Sequence, residues 1–224
     1  MITDHDIAEL CVGSYAAAGD AVTWDFWENG ATNMDVAYGV KIVDGVAVVI
    51  FPGSVTFLDW RRDLDTWADT PHVHPQLGPL HEGFYLGMEM TWDKIKSRGA
   101  LRMIFGGHSL GAARANNLTG LASIDGAPPI AKVLFGEPKS GFQQLAAITS
   151  KVPGRTYRNG SSVFHDVVTD VPYYISPLLY SHDRDFTLVR VDPPAIDEFG
   201  FFAWHHIQLY SKALSNMAGV PIGF

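Results

Sequence analysis

The run LRMIF, Leu101 to Phe105, passes directly into GGHSLGAARANN, and this junction constrains the fold more than any other stretch of the chain. A short apolar run followed by small residues of helical composition reads as a strand that turns sharply into a helix. Ser109 stands at that turn, between Gly107 and Gly111. Glycine two residues before and two after lets strand and helix approach where a side chain would clash. The helix N-terminus also aims its N–H groups and positive dipole end at the same place. The plainer alternative is a glycine-rich turn capped by serine.

Other runs repeat the strand signal: GVAVVIF from Gly45, AKVLF from Ala131, GRTYRN from Gly154 and FTLVRV from Phe186. Segments of helical length separate them, with helix candidates at Asp4 to Ala18, around Trp60, at Gly83 to Ser97 and at Ala112 to Ser123. Such alternation predicts an α/β fold. Asp44-Gly45 lies between two strand patterns as a hairpin turn, so the sheet is expected to be mixed, antiparallel at its start and parallel later. With 224 residues, 47% of them hydrophobic, and no low-complexity linker, the expectation is one domain spanning residues 1–224.

Net charge is −8, and the sixteen Lys and Arg do not form runs, which argues against a surface built to neutralise phosphates. Nucleic acid is not an expected partner. The start, MITDHDIAELC, is acidic where a signal peptide is basic, and no apolar run approaches the length of a transmembrane segment. The expectation is a soluble protein, cytoplasmic or at least without a classical signal peptide. Cys11 is the lone cysteine and cannot form an internal disulfide.

A serine hydroxyl is a weak nucleophile at neutral pH, so Ser109 needs a base and an orienting acid. In the strand–turn–helix context of G-x-S-x-G they follow in the order Ser, Asp or Glu, His. Downstream, HDVVTDVP offers Asp166 and Asp170, and histidines stand at 165, 182 and the pair 205–206. VAVVIF ends at Pro52-Gly53-Ser54, where a strand stops and leaves amides free for an oxyanion. The alternative there is a plain turn.

Several segments, taken in order, resemble the fungal-type triacylglycerol lipase family, lipase class 3: FPGS at Phe51, LDWRRDLD, HEGF at His81, GHSLGAA and FGEPKSG. The resemblance implies an α/β-hydrolase fold, a central mixed and mostly parallel sheet flanked by helices. It also implies esterase chemistry with Ser109 as nucleophile, and an oxyanion hole from the Ser54 and Leu110 amides. Asp166-Val167-Val168-Thr169-Asp170-Val171-Pro172 resembles one form of the family's acid motif with Asp166 as the acid, whereas a shorter form would favour Asp170. WHHIQLY resembles its His-x-Ile-x-x-Tyr motif with His205 as the base and His206 as the rival. His182 and His108 take structural roles on this reading. Pro52 and Trp204 stand where the family usually has Arg and Asp.

His72, His74 and His81 fall within ten residues and raise a zinc site, against which Pro71 and Pro75 mark them as a loop and HEGF already accounts for His81. Phe57, Leu58, Trp60, Leu64 and Trp67 recur at helical spacing, as either a core helix or a mobile lid whose apolar face meets lipid. The chemistry expected is hydrolysis of acylglycerol, other lipid or aryl esters through an acyl-enzyme, with no metal or organic cofactor. The partners expected are a small-molecule or lipid ester substrate and transient contact with a lipid interface. Amide or thioester hydrolysis by the same triad, and a non-catalytic hydrolase-like binding protein, are the alternatives.

Overall fold

The computed structural model describes residues 2–16, 23–30, 36–54, 71–99, 102–161, 164–172, 180–192, 200–217 and 221–222. In chain order these form α1 (Asp4–Tyr15), β1 (Phe26–Glu28), β2 (Tyr38–Val43), β3 (Val46–Phe51), β4 (His72–His74), β5 (Gly78–Leu80), α2 (Glu82–Tyr85) and α3 (Met88–Ser97). There follow β6 (Met103–His108), α4 (Leu110–Ile124), β7 (Ala131–Phe135), β8 (Gly141–Phe142), α5 (Gln143–Thr149), β9 (Gly154–Asn159), β10 (Tyr180–Ser181), β11 (Thr187–Val189) and α6 (Ile207–Ser215). Two 3₁₀ turns, Val167–Asp170 and Gly200–His205, precede α6.

Seven strands make the main sheet in the order β1-β2-β3-β6-β7-β9-β11. The first three pair antiparallel and the rest parallel, as the hairpin and the strand–helix alternation predict. Asp44 and Gly45, with φ of 50° and 74°, make the tight β2–β3 turn. All six residues of β3 are buried, and they alternate between two cores. Ala47, Val49 and Phe51 face a core shared with α3 and α4, while Val46, Val48 and Ile50 face one shared with α1 and α6. A strand covered on both faces has no polar side to show, which is why its sequence is an unbroken apolar run.

The expected helix from Gly83 to Ser97 is two helices. Gly87 adopts φ 80°, a left-handed conformation that ends α2 and starts α3. Within α3, Met88, Thr91, Trp92 and Ile95 are buried, one stripe at helical spacing. The second, four-stranded sheet, β10-β8-β5-β4, was not apparent in the sequence because its strands are only two or three residues long. It lies beside α4 and α5, where Leu77, Leu80 and Leu145 join the α3/α4 core. The segment Phe57–Trp67, with its lid-or-core pattern, lies outside the described residues.

Candidate functional site

The residues expected to form the site follow the carboxyl ends of parallel strands: Ser54 after β3, Ser109 after β6, Asp166 after β9 and His205 after β11. Ser109 follows β6 as the residue before α4, with φ 59° and ψ −127°. A positive φ on a residue with a Cβ is strained, and the packing around it holds it there. Its amide donates to the Phe135 carbonyl at 3.0 Å. A Cβ on Gly107 would sit 2.3 Å from the Gly111 carbonyl oxygen, and one on Gly111 2.0 Å from that of Phe51. The two glycines are therefore required by the contact of β6, α4 and the end of β3. Leu110 is the first residue of α4, so its amide lies outside the helical hydrogen-bond ladder, and Ser54 follows the end of β3.

Asp166 precedes the first 3₁₀ turn and is fully buried. Its Oδ2 accepts from His205 Nδ1 at 2.7 Å and from the Tyr210 hydroxyl at 2.5 Å, and its Oδ1 accepts from the Val168 amide at 3.0 Å. Burial pushes its carboxyl up, but the charge and hydrogen bond of His205, with the Tyr210 bond, carry it below its ordinary value of 3.8. A carboxylate only accepts, so Nδ1 of His205 holds the proton and Nε2 is left as the basic nitrogen. The same carboxylate and burial raise the Tyr210 hydroxyl well above its usual range, burial being the larger effect, so this phenol stays a donor.

The rival residues lie elsewhere. Asp170 accepts from Arg158 at 2.8 Å and pairs with His165 Nε2 at 2.7 Å. His206 is the residue before α6 and is exposed. His182 donates through Nε2 to the Thr169 carbonyl at 2.8 Å, bracing the loop that carries Asp166. His108 packs its ring 4.5 Å from that of His205. His81 stacks on Phe84 with centroids 4.0 Å apart, whereas His72 and His74 lie on β4 against Tyr85. Among the described residues no group of three or more His, Cys, Asp or Glu could hold a metal ion.

Three residues of the site had no role assigned from sequence. Tyr210 closes the HHIQLY motif, and helical spacing from its start was the available signal. Gly136 has its Cα so close to the acid and the base that a Cβ would lie 2.6 Å from Asp166 Oδ2 and 2.9 Å from His205 Nδ1. Tyr15, at the end of α1, bonds His108 Nδ1 at 2.6 Å, and nothing in its local sequence points to that contact.

Residues 48–175 match the lipase (class 3) family, a span that contains the nucleophile turn, the end of β3 and Asp166. The chain belongs to the lipase (class 3) family. It is a carboxylic ester hydrolase of the serine lipase type. Among solved structures it is similar to the mono- and diacylglycerol lipase of Aspergillus oryzae, at TM-score 0.63 and 20% identity over 86% of this chain and 78% of that one. It is also similar to a triacylglycerol lipase whose catalytic centre is a serine protease triad, at TM-score 0.63 and 18% identity over 91% and 89%. A fungal lipase–inhibitor complex used to explain interfacial activation matches at TM-score 0.60 and 17% identity over 82% and 77%. At these identities the likeness speaks for the α/β-hydrolase fold. No curated protein sequence matches the chain. No helix among the described residues is long and apolar enough to cross a membrane.

Proposed function

We propose that this lipase cleaves lipid carboxylic esters with Ser109 as nucleophile, His205 as general base, Asp166 as its orienting acid and the Ser54 and Leu110 amides as oxyanion donors. The observations that carry the reading are the buried 2.7 Å contact between His205 Nδ1 and Asp166 and, at the strand–helix turn, a serine held at positive φ. His205 Nε2 takes the hydroxyl proton as Ser109 attacks the ester carbonyl, and the two amides stabilise the negative oxygen of the tetrahedral intermediate. The imidazolium then protonates the leaving alcohol. Water, activated by the same nitrogen, attacks the acyl-enzyme and releases the acid. Neutral Nε2 with Nδ1 protonated is the tautomer these steps need, and the Asp166 contact supports it.

The aryl or acyl character of the substrate and contact with a lipid interface belong to the same reading. The interface contact rests on the amphipathic pattern of Phe57, Leu58, Trp60, Leu64 and Trp67 in the sequence, and the acyl or aryl character on the chain's 12% aromatic residues. Labelling with a fluorophosphonate tests the core of the proposal: one adduct on Ser109, abolished together with ester turnover in Ser109→Ala while the thermal transition stays near wild type. Labelling that survives in that variant places the nucleophile elsewhere. A chain-length series of nitrophenyl esters, with matched amides and a titration through the solubility limit, assigns the substrate and reads out interfacial activation.

A further inference from the structure

The steps above make no use of the His108 side chain, yet it is 4% exposed and both its ring nitrogens are bonded. Nε2 lies 2.6 Å from the His205 backbone carbonyl oxygen, and Nδ1 lies 2.6 Å from the Tyr15 hydroxyl. A carbonyl oxygen only accepts, so Nε2 carries the proton. In a neutral ring Nδ1 is then the acceptor, and the Tyr15 hydroxyl donates to it. Burial, and then the neighbouring His205, hold His108 well below the usual histidine range and keep the ring neutral. The Tyr15 hydroxyl packs against the Gly53 backbone. The phenol fits there because Gly53 lacks a Cβ, which would lie 1.9 Å from the hydroxyl and 2.9 Å from the His108 carbonyl oxygen.

A run of contacts leads from Gly53, packed against the Tyr15 hydroxyl, through Tyr15 O–H to His108 and on to the His205 carbonyl, with both hydrogen bonds donated in the same direction. Its two ends are informative. Gly53 immediately precedes Ser54, whose amide is the proposed oxyanion donor, and His205 is the proposed base. Asp166 fixes the His205 ring through Nδ1, whereas this chain of bonds fixes its backbone. We propose that Tyr15 and His108 are positioning residues that hold the oxyanion strand end and the His205 backbone in one register during ester hydrolysis. The inference rests on the assignment of His205 as the general base.

Displacing a reacting group by a fraction of an ångström to one ångström costs up to about 100-fold in rate, which sets the scale for the test. His108→Leu is expected to lower kcat about 100-fold and Tyr15→Phe about 5-fold, each with KM within about twofold of wild type. In the His108→Leu background Tyr15→Phe should cost nothing further. His108→Gln, whose amide can still donate to the His205 carbonyl, should recover most of the His108→Leu loss. Independent multiplicative losses in the double variant, or wild-type kcat in Tyr15→Phe, overturn the proposal.

Nitrogen NMR of the ¹⁵N-histidine-labelled wild-type protein supplies a test that does not depend on the variants folding. His108 should appear as the neutral tautomer protonated at Nε2, and a cation or an Nδ1-protonated ring overturns the proposal. Full turnover in His205→Ala would instead overturn the triad assignment. A dead His205→Ala combined with an unaffected Tyr15→Phe marks failure of the positioning role alone.

Discussion

Asp166 pairs with His205 and Asp170 with His165, and the nitrogen–oxygen distance is 2.7 Å in both. The two aspartates bracket a single 3₁₀ turn, so contact geometry alone does not separate them. Burial does: the Asp166 and His205 side chains are 0% and 7% exposed, those of Asp170 and His165 35% and 19%. The third partners differ as well. Asp166 has its remaining capacity filled by an amide and a phenol, which orient it without cancelling its charge. Asp170 is answered by the Arg158 guanidinium, itself stacked on Phe186, so its charge is already paired with a cation. An Asp–His pair of good geometry thus becomes a candidate catalytic element only where the field of the carboxylate is directed through the imidazole alone.

The largest expected contrast is in turnover. Asp166→Asn and His205→Ala should each lower kcat by about 10⁴-fold, because triad members act as a unit, whereas Asp170→Asn and His165→Ala should stay within about threefold. Steady-state kinetics on a soluble nitrophenyl ester decides it, and equal losses in the two pairs would erase the distinction drawn above.

Next comes Tyr210→Phe, which removes the phenol donor while leaving the ring in place. A lost hydrogen bond to a charged group is expected to reduce kcat by about tenfold and unfolding free energy by about 1.5–3 kcal/mol. Denaturant melts and kinetics on the same variant measure both. Wild-type values would mean that His205 and the Val168 amide alone hold Asp166.

Acid titration sharpens the contrast further. The folded pKa of Asp166 lies below its ordinary 3.8, so the group contributes stability that is present above that value and lost as pH falls through the native one. Wild type should therefore lose more stability than Asp166→Asn when thermal transitions are followed from pH 5 downward to about pH 2. Parallel curves would show that Asp166 is not linked to folding in this way.

The smallest effect is expected at Arg158. Its contact with Asp170 is partly exposed, so Arg158→Met should cost under about 1 kcal/mol and leave ester turnover unchanged. A large drop in kcat would mean that the outer pair holds the loop of the inner one.

Much of this was legible along the chain. The strands of the main sheet from β2 onward, helices α1 and α4, the β2–β3 hairpin and the turn around Ser109 follow from periodicity and from glycines at fixed offsets, which are local signals, whereas α5 and α6 were not anticipated. Asp166 and His205 were preferred over Asp170 and His206 by resemblance of short motifs, and the folded chain brings that preferred pair into contact. The break at Gly87 was missed because a glycine within a helical pattern does not reveal its φ. The small sheet was missed because two or three residues carry no period.

What the sequence determined by itself was whatever depends on neighbours along the chain: fold class, family and the strained serine turn. Only the tertiary structure decided which distant groups share a carboxylate or a ring. Lys132 in AKVLF reads as a lone charge in an apolar strand, yet it is wholly buried, bonding Asp183 and, at 2.5 Å, Asn116. Tyr15 reaches His108 across 93 residues, and Tyr210 reaches Asp166 across 44. Burial strengthens such bonds and makes an unmet polar group costly, but it is set by the packing of separate elements. A sequence pattern records which residues can take part, and only the packed chain fixes which partner each one meets.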